Sequence, residues 1–299
     1  MTSFFHNLKS GKIENKFTKN TISNFLKIPF SFLHGHKAIR QIKPDLILSF
    51  GSTAGAISSF WAYFLGIPVV IHEQTATAGR ANIVSSYFAK KILLARESSK
   101  KYFNKNKCEV VGNPINKEIE KYKHKPPNKK VKTVLITGGS QGSIWINEAI
   151  YPILPILLEK YIVFHQAGEG KERAYKHPKY FGFGQVSPEN MIEAMSDADI
   201  VIARAGANTV SELIALKKPA ILIPIPWTYN DEQNENARYM EKLGLATILP
   251  QTELTPQKLL SEIEILVRDY PRVIKNSENI VSPDFRASSK VVDLLQSFL

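Results

Sequence analysis

Three short turns carry the residues whose types and spacing best suit chemistry, and each follows an apolar run. Gly138-Gly139-Ser140-Gln141-Gly142 ends the run Val134–Thr137 and precedes a helical pattern. Backbone amides in such a turn carry partial positive charge, glycine allows close approach, and the Ser140 hydroxyl adds a donor, which suits a phosphate. A plain tight turn is the alternative. The spacing is not G-x-G-x-x-G, and no Gly-Lys-Ser/Thr follows, so neither a dinucleotide fingerprint nor a Walker loop is present. Arg204-Ala205-Gly206-Ala207-Asn208-Thr209 repeats the scheme after Ile200–Ala203. Its small residues leave amides free for a diphosphate. Glu212, on the helix that follows, can accept hydrogen bonds from vicinal hydroxyls, as carboxylates do for a ribose. It can equally serve the helix dipole. Asn230–Ala237 is the third: Gln233 and Asn236 can reach a sugar, while Asp231 or Asn230 can cap a helix.

A fourth candidate is His72-Glu73, at the end of the run Pro68–His72. It can hold an acceptor, act as a base or merely fix a loop. His34-x-His36 has the right residue types for a metal but no third ligand nearby, so no metal is expected.

The elements that must position these turns alternate between strand and helix. Strands are expected at Asp45–Phe50, Pro68–His72, Lys91–Ala95, Glu109–Val111, Thr133–Thr137, Ile162–His165, Asp199–Ala203, Pro219–Pro224 and Ala246–Leu249. This alternation predicts an α/β fold with two doubly wound, parallel-sheet domains facing a cleft, with ligands at the carboxyl ends of the strands. The polar stretch Asn113–Lys132, with its Pro-Pro and lysines, reads as an interdomain linker or exposed connection.

The chain has 299 residues, enough for two cores, and its 43% hydrophobic and 22% charged fractions are ordinary. Its one cysteine, Cys108, excludes an intrachain disulfide and any cysteine-rich zinc site. No signal peptide and no apolar run long enough to span a bilayer is visible. The net charge of +12 divides into +15 over residues 1–130 and −3 over residues 131–299. The first half therefore suits an anionic surface. Nucleic acid is not the expected partner, because basic and aromatic residues form no binding motif and the second half is acidic.

Taken in order, TGGSQGS, RAGANTVSE and PIPWTYNDEQNENA closely resemble the donor-binding half of the MurG-type N-acetylglucosaminyltransferases of bacterial peptidoglycan synthesis, in glycosyltransferase family 28. KPDLILSFGSTAG, GIPVVIHEQTATAGRAN and EVVGNPI match the acceptor-side half, and the resemblance runs from about Ser10 onward. It implies the GT-B fold. An acceptor- and membrane-side domain would span 1–113, with a C-terminal helix of about 284–299 packing back on it. A donor domain would span 114–283. The implied activity is inverting transfer of N-acetylglucosamine from UDP-N-acetylglucosamine to lipid I, giving lipid II at the cytoplasmic face of the bacterial membrane, without metal or organic cofactor. Ser140, with Gln141 and Gly142, would contact the diphosphate. Ala207, Asn208 and Thr209 would lie along diphosphate and sugar, Glu212 would hold the ribose, and Gln233, beside Glu232, would read the sugar. The uracil would sit near Val186–Asn190.

The sequence departs from that pattern in three places. Asn116 stands where the family's Gly-Asn-Pro-Val-Arg has arginine. Thr75 follows His72-Glu73-Gln74 where the family has asparagine. The family's initial Gly-Gly-Thr-Gly-Gly-His loop, a source of a candidate base, is not in this chain. The expectation is therefore an incomplete first domain with an exposed sheet edge, explained first by a truncated or mis-set start, and otherwise by a split enzyme whose missing part is another chain or by a degenerate protein. A donor-binding part of a split or inactive enzyme, a glycolipid glycosyltransferase and a UDP-N-acetylglucosamine 2-epimerase are the competing readings; no convincing carboxylate pair supports the epimerase. Asn15–Lys43, which mixes Phe, Leu and Ile with Lys, Arg and His, reads as a segment for an anionic membrane surface. Pro29 predicts two short helices there rather than one.

Overall fold

A computed structural model describes the backbone of residues 19–298 and side chains from Phe30 onward. The part of the Asn15–Lys43 segment before Lys19 lies outside the described residues. Two compact units are present: residues up to Gly112 together with those from Arg286, and Asn113–Phe285.

The first unit contains α1 (Lys19–Ile42), β1 (Ile47–Ser49), α2 (Ser52–Phe64), β2 (Val69–Glu73), α3 (Arg80–Ser86), β3 (Lys91–Leu94) and β4 (Cys108–Val110). Its parallel sheet has the order β1-β2-β3-β4. Successive strand side chains point to opposite faces, and here both faces are covered. Val69, Ile71, Ile92 and Leu94 pack with Ala62, Ala78 and Phe103 on one side. Val70, Leu93 and Val111 pack with Val291 on the other. That double burial is why these strands read as continuous apolar runs. Helix α1 runs through Pro29 as one helix, which corrects the expected pair. Phe32 packs edge-on against Phe60, and the Trp61 indole donates to the Phe32 carbonyl at 2.8 Å. These contacts seat α1 on α2, so tertiary packing outweighs the proline's missing donor. Strand β1 forms the sheet edge, pairing with β2 alone among the described residues.

The second unit contains β5 (Thr133–Thr137), α4 (Ile144–Ile150), α5 (Leu154–Lys160), β6 (Ile162–Gln166), β7 (Tyr180–Phe183), α6 (Pro188–Asp197), β8 (Ile200–Ala203), α7 (Ala207–Ala215), β9 (Ala220–Leu222), α8 (Glu232–Lys242), β10 (Ala246–Ile248) and α9 (Pro256–Ser277). Helix α10 (Ala287–Gln296) then returns to the first unit, where Val291 joins the face described above. The second sheet is parallel with order β10-β9-β8-β5-β6-β7. Strand order reverses between β5 and β8, which makes that point the topological switch, where sheets of this kind take ligands at the strands' carboxyl ends. Strand β7 has no counterpart among the expected strands.

Asn113–Lys132 is not a free linker. Ile119 is fully buried in the second unit's core, and Lys117–Tyr122 forms a 3-10 helix. Asn113 is fully buried too. Its amide donates to Asp284 Oδ1 at 2.7 Å, and its side chain donates to Asn208 Oδ1 and Ser211 Oγ. The lysines that suggested a solvated connection are exposed, Lys117 and Lys121 on the 3-10 helix among them, and residues 123–130 are all exposed.

Candidate functional site

The glycine turn after β5 and the small-residue turn after β8 meet the switch point from its two sides. Gly142 has φ +67°, and a Cβ there would lie 2.0 Å from the Ala167 carbonyl oxygen. Only glycine lets this turn press against the loop after β6. Gly139 spends its amide on Thr137 Oγ1 at 3.1 Å, and Gly142 spends its amide on the Gly139 carbonyl at 2.8 Å. Ser140 and Gln141 form the exposed tip, so their backbone amides and the Ser140 hydroxyl are the donors presented outward. Gln166 steadies that tip by donating to the Ser140 carbonyl. Ser143 caps α4.

At the second turn, Gly206 is the N-cap of α7 and offers no side-chain acceptor. The amides of Ala207, Asn208 and Thr209, orphaned at a helix start, therefore lack a capping oxygen. Asn208 is exposed, with its Oδ1 accepting from Asn113. Glu212 lies in the second turn of α7, beyond the first turn where the dipole acts, so the helix-dipole reading fails. Burial pushes its carboxyl up to about 7. Among the described residues no cation forms an ion pair with it, so desolvation alone sets its state.

Arg204, at the end of β8, is a buried cation. Its Nη1 donates to the Ile223 carbonyl at 2.9 Å and its Nη2 to Ser143 Oγ at 2.7 Å. Burial lowers its guanidinium to about 10, so it stays charged at neutral pH. The third turn departs from expectation. Asp231 occupies the N-cap of α8 in the left-handed region and makes no capping hydrogen bond. Its carboxylate instead accepts from Asn234 and Arg238. Gln233 Oε1 accepts from the Ile225 amide at 3.0 Å, leaving its NH2 group for a ligand, and Asn236 is buried and donates to the Ala205 carbonyl. Asn236 thus braces the second turn instead of reaching outward.

In the first unit, Glu73 is buried with its carboxylate enclosed. It accepts from the Thr75 amide and hydroxyl, the Gly79 amide and Asn82 Nδ2, at 2.9–3.1 Å. His72 is fully buried, and its Nε2 donates to the Gly112 carbonyl at 2.9 Å. These are the contacts of a loop clamp, and Thr75 is part of it. Asn116 caps the 3-10 helix, its Oδ1 accepting from the Glu118 amide at 3.0 Å. His34 bonds the Phe30 carbonyl of its own helix, and His36 lies on Trp61.

A model of the glycosyltransferase family 28 C-terminal domain matches residues 133–294, and one of the family's N-terminal domain matches residues 2–94. The chain belongs to glycosyltransferase family 28. A Geobacillus thermodenitrificans relative named UDP-N-acetylglucosamine--N-acetylmuramyl-(pentapeptide) pyrophosphoryl-undecaprenol N-acetylglucosamine transferase is 33% identical over 94% of this chain and 81% of its own. A Staphylococcus haemolyticus protein of the same name is 29% identical over 99% and 84%. The crystal structure of MurG from Acinetobacter baumannii matches with TM-score 0.68 at 28% identity, covering 92% of this chain and 79% of that one. UDP-GlcNAc 2-epimerase from Neisseria meningitidis matches with TM-score 0.66 at 15% identity, over 96% and 84%, which is a likeness of fold alone. In this family 28 chain the fold is GT-B, with two parallel-sheet α/β units. Sequence reasoning passed over Asn113, Gln166 and Arg204 as site-shaping residues, because their partners lie far off in sequence.

Proposed function

We propose that this chain transfers N-acetylglucosamine from UDP-N-acetylglucosamine to the 4-hydroxyl of the muramoyl sugar of lipid I, forming lipid II with inversion. The observation that carries the reading is the pair of amide-lined turns at the β5/β8 switch point, with Glu212 one helical turn further on. In it, the Ser140 and Gln141 amides and the Ala207–Thr209 amides receive the diphosphate. Glu212 accepts from the ribose hydroxyls, the Gln233 amide group reads the sugar, and Val186–Asn190 frames the uracil. The departing UDP gains negative charge, and fixed amide dipoles stabilise it without reorganising. Residues 113–285 act as the donor-binding domain and the other unit as the acceptor side.

The acceptor is a membrane lipid, and the first unit offers a surface for it. Phe30, Leu33, Tyr63, Phe64 and Tyr87 are each more than half exposed. Lys37, Arg40 and Lys90 come from the same helices and turns. Apolar anchors with interspersed cations suit an anionic bilayer surface. Among the described residues no helix is long and apolar enough to cross a membrane, so the attachment proposed is peripheral, at the cytoplasmic face.

Calorimetric titration tests the donor half. Binding of UDP-N-acetylglucosamine in clear preference to UDP-glucose supports the reading; a folded chain that binds neither refutes it.

A further inference from the structure

Two cations stand at opposite ends of the second sheet, Arg204 buried and Lys218 partly buried, and they are treated differently. Lys218, before β9, donates to the Ser196 and Ala198 carbonyls and has Asp197 and Asp199 as acidic neighbours. Arg204, after β8, is only 7% exposed, and both its hydrogen bonds go to neutral oxygens. Among the described residues no carboxylate pairs with it. A buried charge without a counter-charge is costly, and a guanidinium has five N–H donors, of which these two bonds engage only part. Its anchors explain where it is held. Ser143 belongs to the turn after β5, and Ile223 follows β9, so the guanidinium ties the turns of three adjacent strands in the order β9-β8-β5. The switch point lies between two of them, β8 and β5.

We propose that Arg204 is the residue that makes this site select a pyrophosphate: it fixes the turns after β5 and β8 against each other and lends them a positive charge that a bound diphosphate neutralises. The inference rests on the donor-site reading above. It assigns Arg204 a positioning and electrostatic role, through Ser143 and the two turns, for nucleoside diphosphates as a class. It predicts that the site discriminates by phosphate count, which a brace between loops would not do.

The test is titration of the full chain with UDP, UMP and uridine at low and high salt, for the wild type, Arg204→Gln and Arg204→Lys, each checked by thermal melt. The expected result for Arg204→Gln is an affinity for UDP reduced about 10–100-fold, the range for a lost charge-assisted interaction. Uridine affinity changes by less than about twofold, and Arg204→Lys recovers part of the loss, because it restores the charge but not the two-armed tie between the turns. The salt dependence of UDP binding weakens in Arg204→Gln and persists in Arg204→Lys. Equal loss for UDP and uridine, or unchanged UDP affinity, overturns the inference. If Arg204→Gln does not fold, the lysine variant decides: retention of the wild-type preference for UDP over uridine supports the role, and loss of that preference in a folded lysine variant overturns it. A wild type that binds no UDP instead removes the donor-site reading, and this inference with it.

Discussion

Replacing Glu212 by Gln is expected to stabilise the ligand-free chain and to weaken nucleotide binding at the same time. Burial raises the Glu212 carboxyl from 4.5 to about 7. Between those values the folded chain keeps the proton while the unfolded chain has released it, so folding stability falls as pH rises through that window and stays reduced above it. The gap corresponds to ~3 kcal/mol at most, and partial exposure of the side chain brings the working figure to ~1–3 kcal/mol. Glutamine keeps the shape and loses the charge. Urea unfolding of both proteins at pH 4.5 and pH 8 should therefore give similar stability at the acid end. At pH 8 the variant should be more stable by ~1–3 kcal/mol. Its affinity for UDP-N-acetylglucosamine should fall by about tenfold, since the hydroxyls lose a charged acceptor. A variant equal to or weaker than the wild type at pH 8 would refute the claim that Glu212 is held in the folded chain at the expense of stability for a ligand's benefit.

Other outcomes follow from the same contacts. His165 is fully buried between Asn147 Oδ1 and the Tyr180 hydroxyl, and burial lowers it to about 4, so its neutral form bears the network. Stability contributed there is lost as pH falls from 6.5 towards 4, and in a background of Glu212→Gln, which lacks the opposing trend, His165→Gln should flatten the acid limb of the unfolding curve. Gly142→Ala must place a methyl group against the Ala167 carbonyl at positive φ; it should lower stability by more than ~2 kcal/mol and abolish UDP binding, as read by melting and titration. Asn113→Ala removes donors to Asn208 and Ser211 and should cost ~1–3 kcal/mol in urea unfolding. Phe64→Ser with Tyr87→Ser should reduce co-sedimentation with anionic vesicles at least several-fold while leaving UDP-N-acetylglucosamine affinity unchanged.

Much of the fold was legible because parallel strands buried on both faces read as unbroken apolar runs, as in Val134–Ile136, Ile200–Ile202 and Ala220–Leu222, all fully buried. Strand β7 escaped notice because it is an edge strand, with Phe181 about half exposed and Gly182 within it. The site turns were legible for a local reason: glycine and small residues directly after a strand leave amides free. What stayed hidden depends on distance in three dimensions. Asn113 looks like the start of a linker until Asp284 and Ser211 are seen around it. Arg204 looks like one more surface cation until its burial and its neutral partners are known. Glu73 looked available for chemistry until four donors were found on its carboxylate.

The most direct test of the central claim is a transfer assay: the purified chain, labelled UDP-N-acetylglucosamine and lipid I in anionic vesicles, with products separated as lipids, sugars and nucleotides. Label is expected to move into lipid II, UDP to be released in equal amount, and both to cease when lipid I is left out. Conversion of UDP-N-acetylglucosamine to an epimer without lipid I, or tight donor binding with no lipid-linked product, would contradict it.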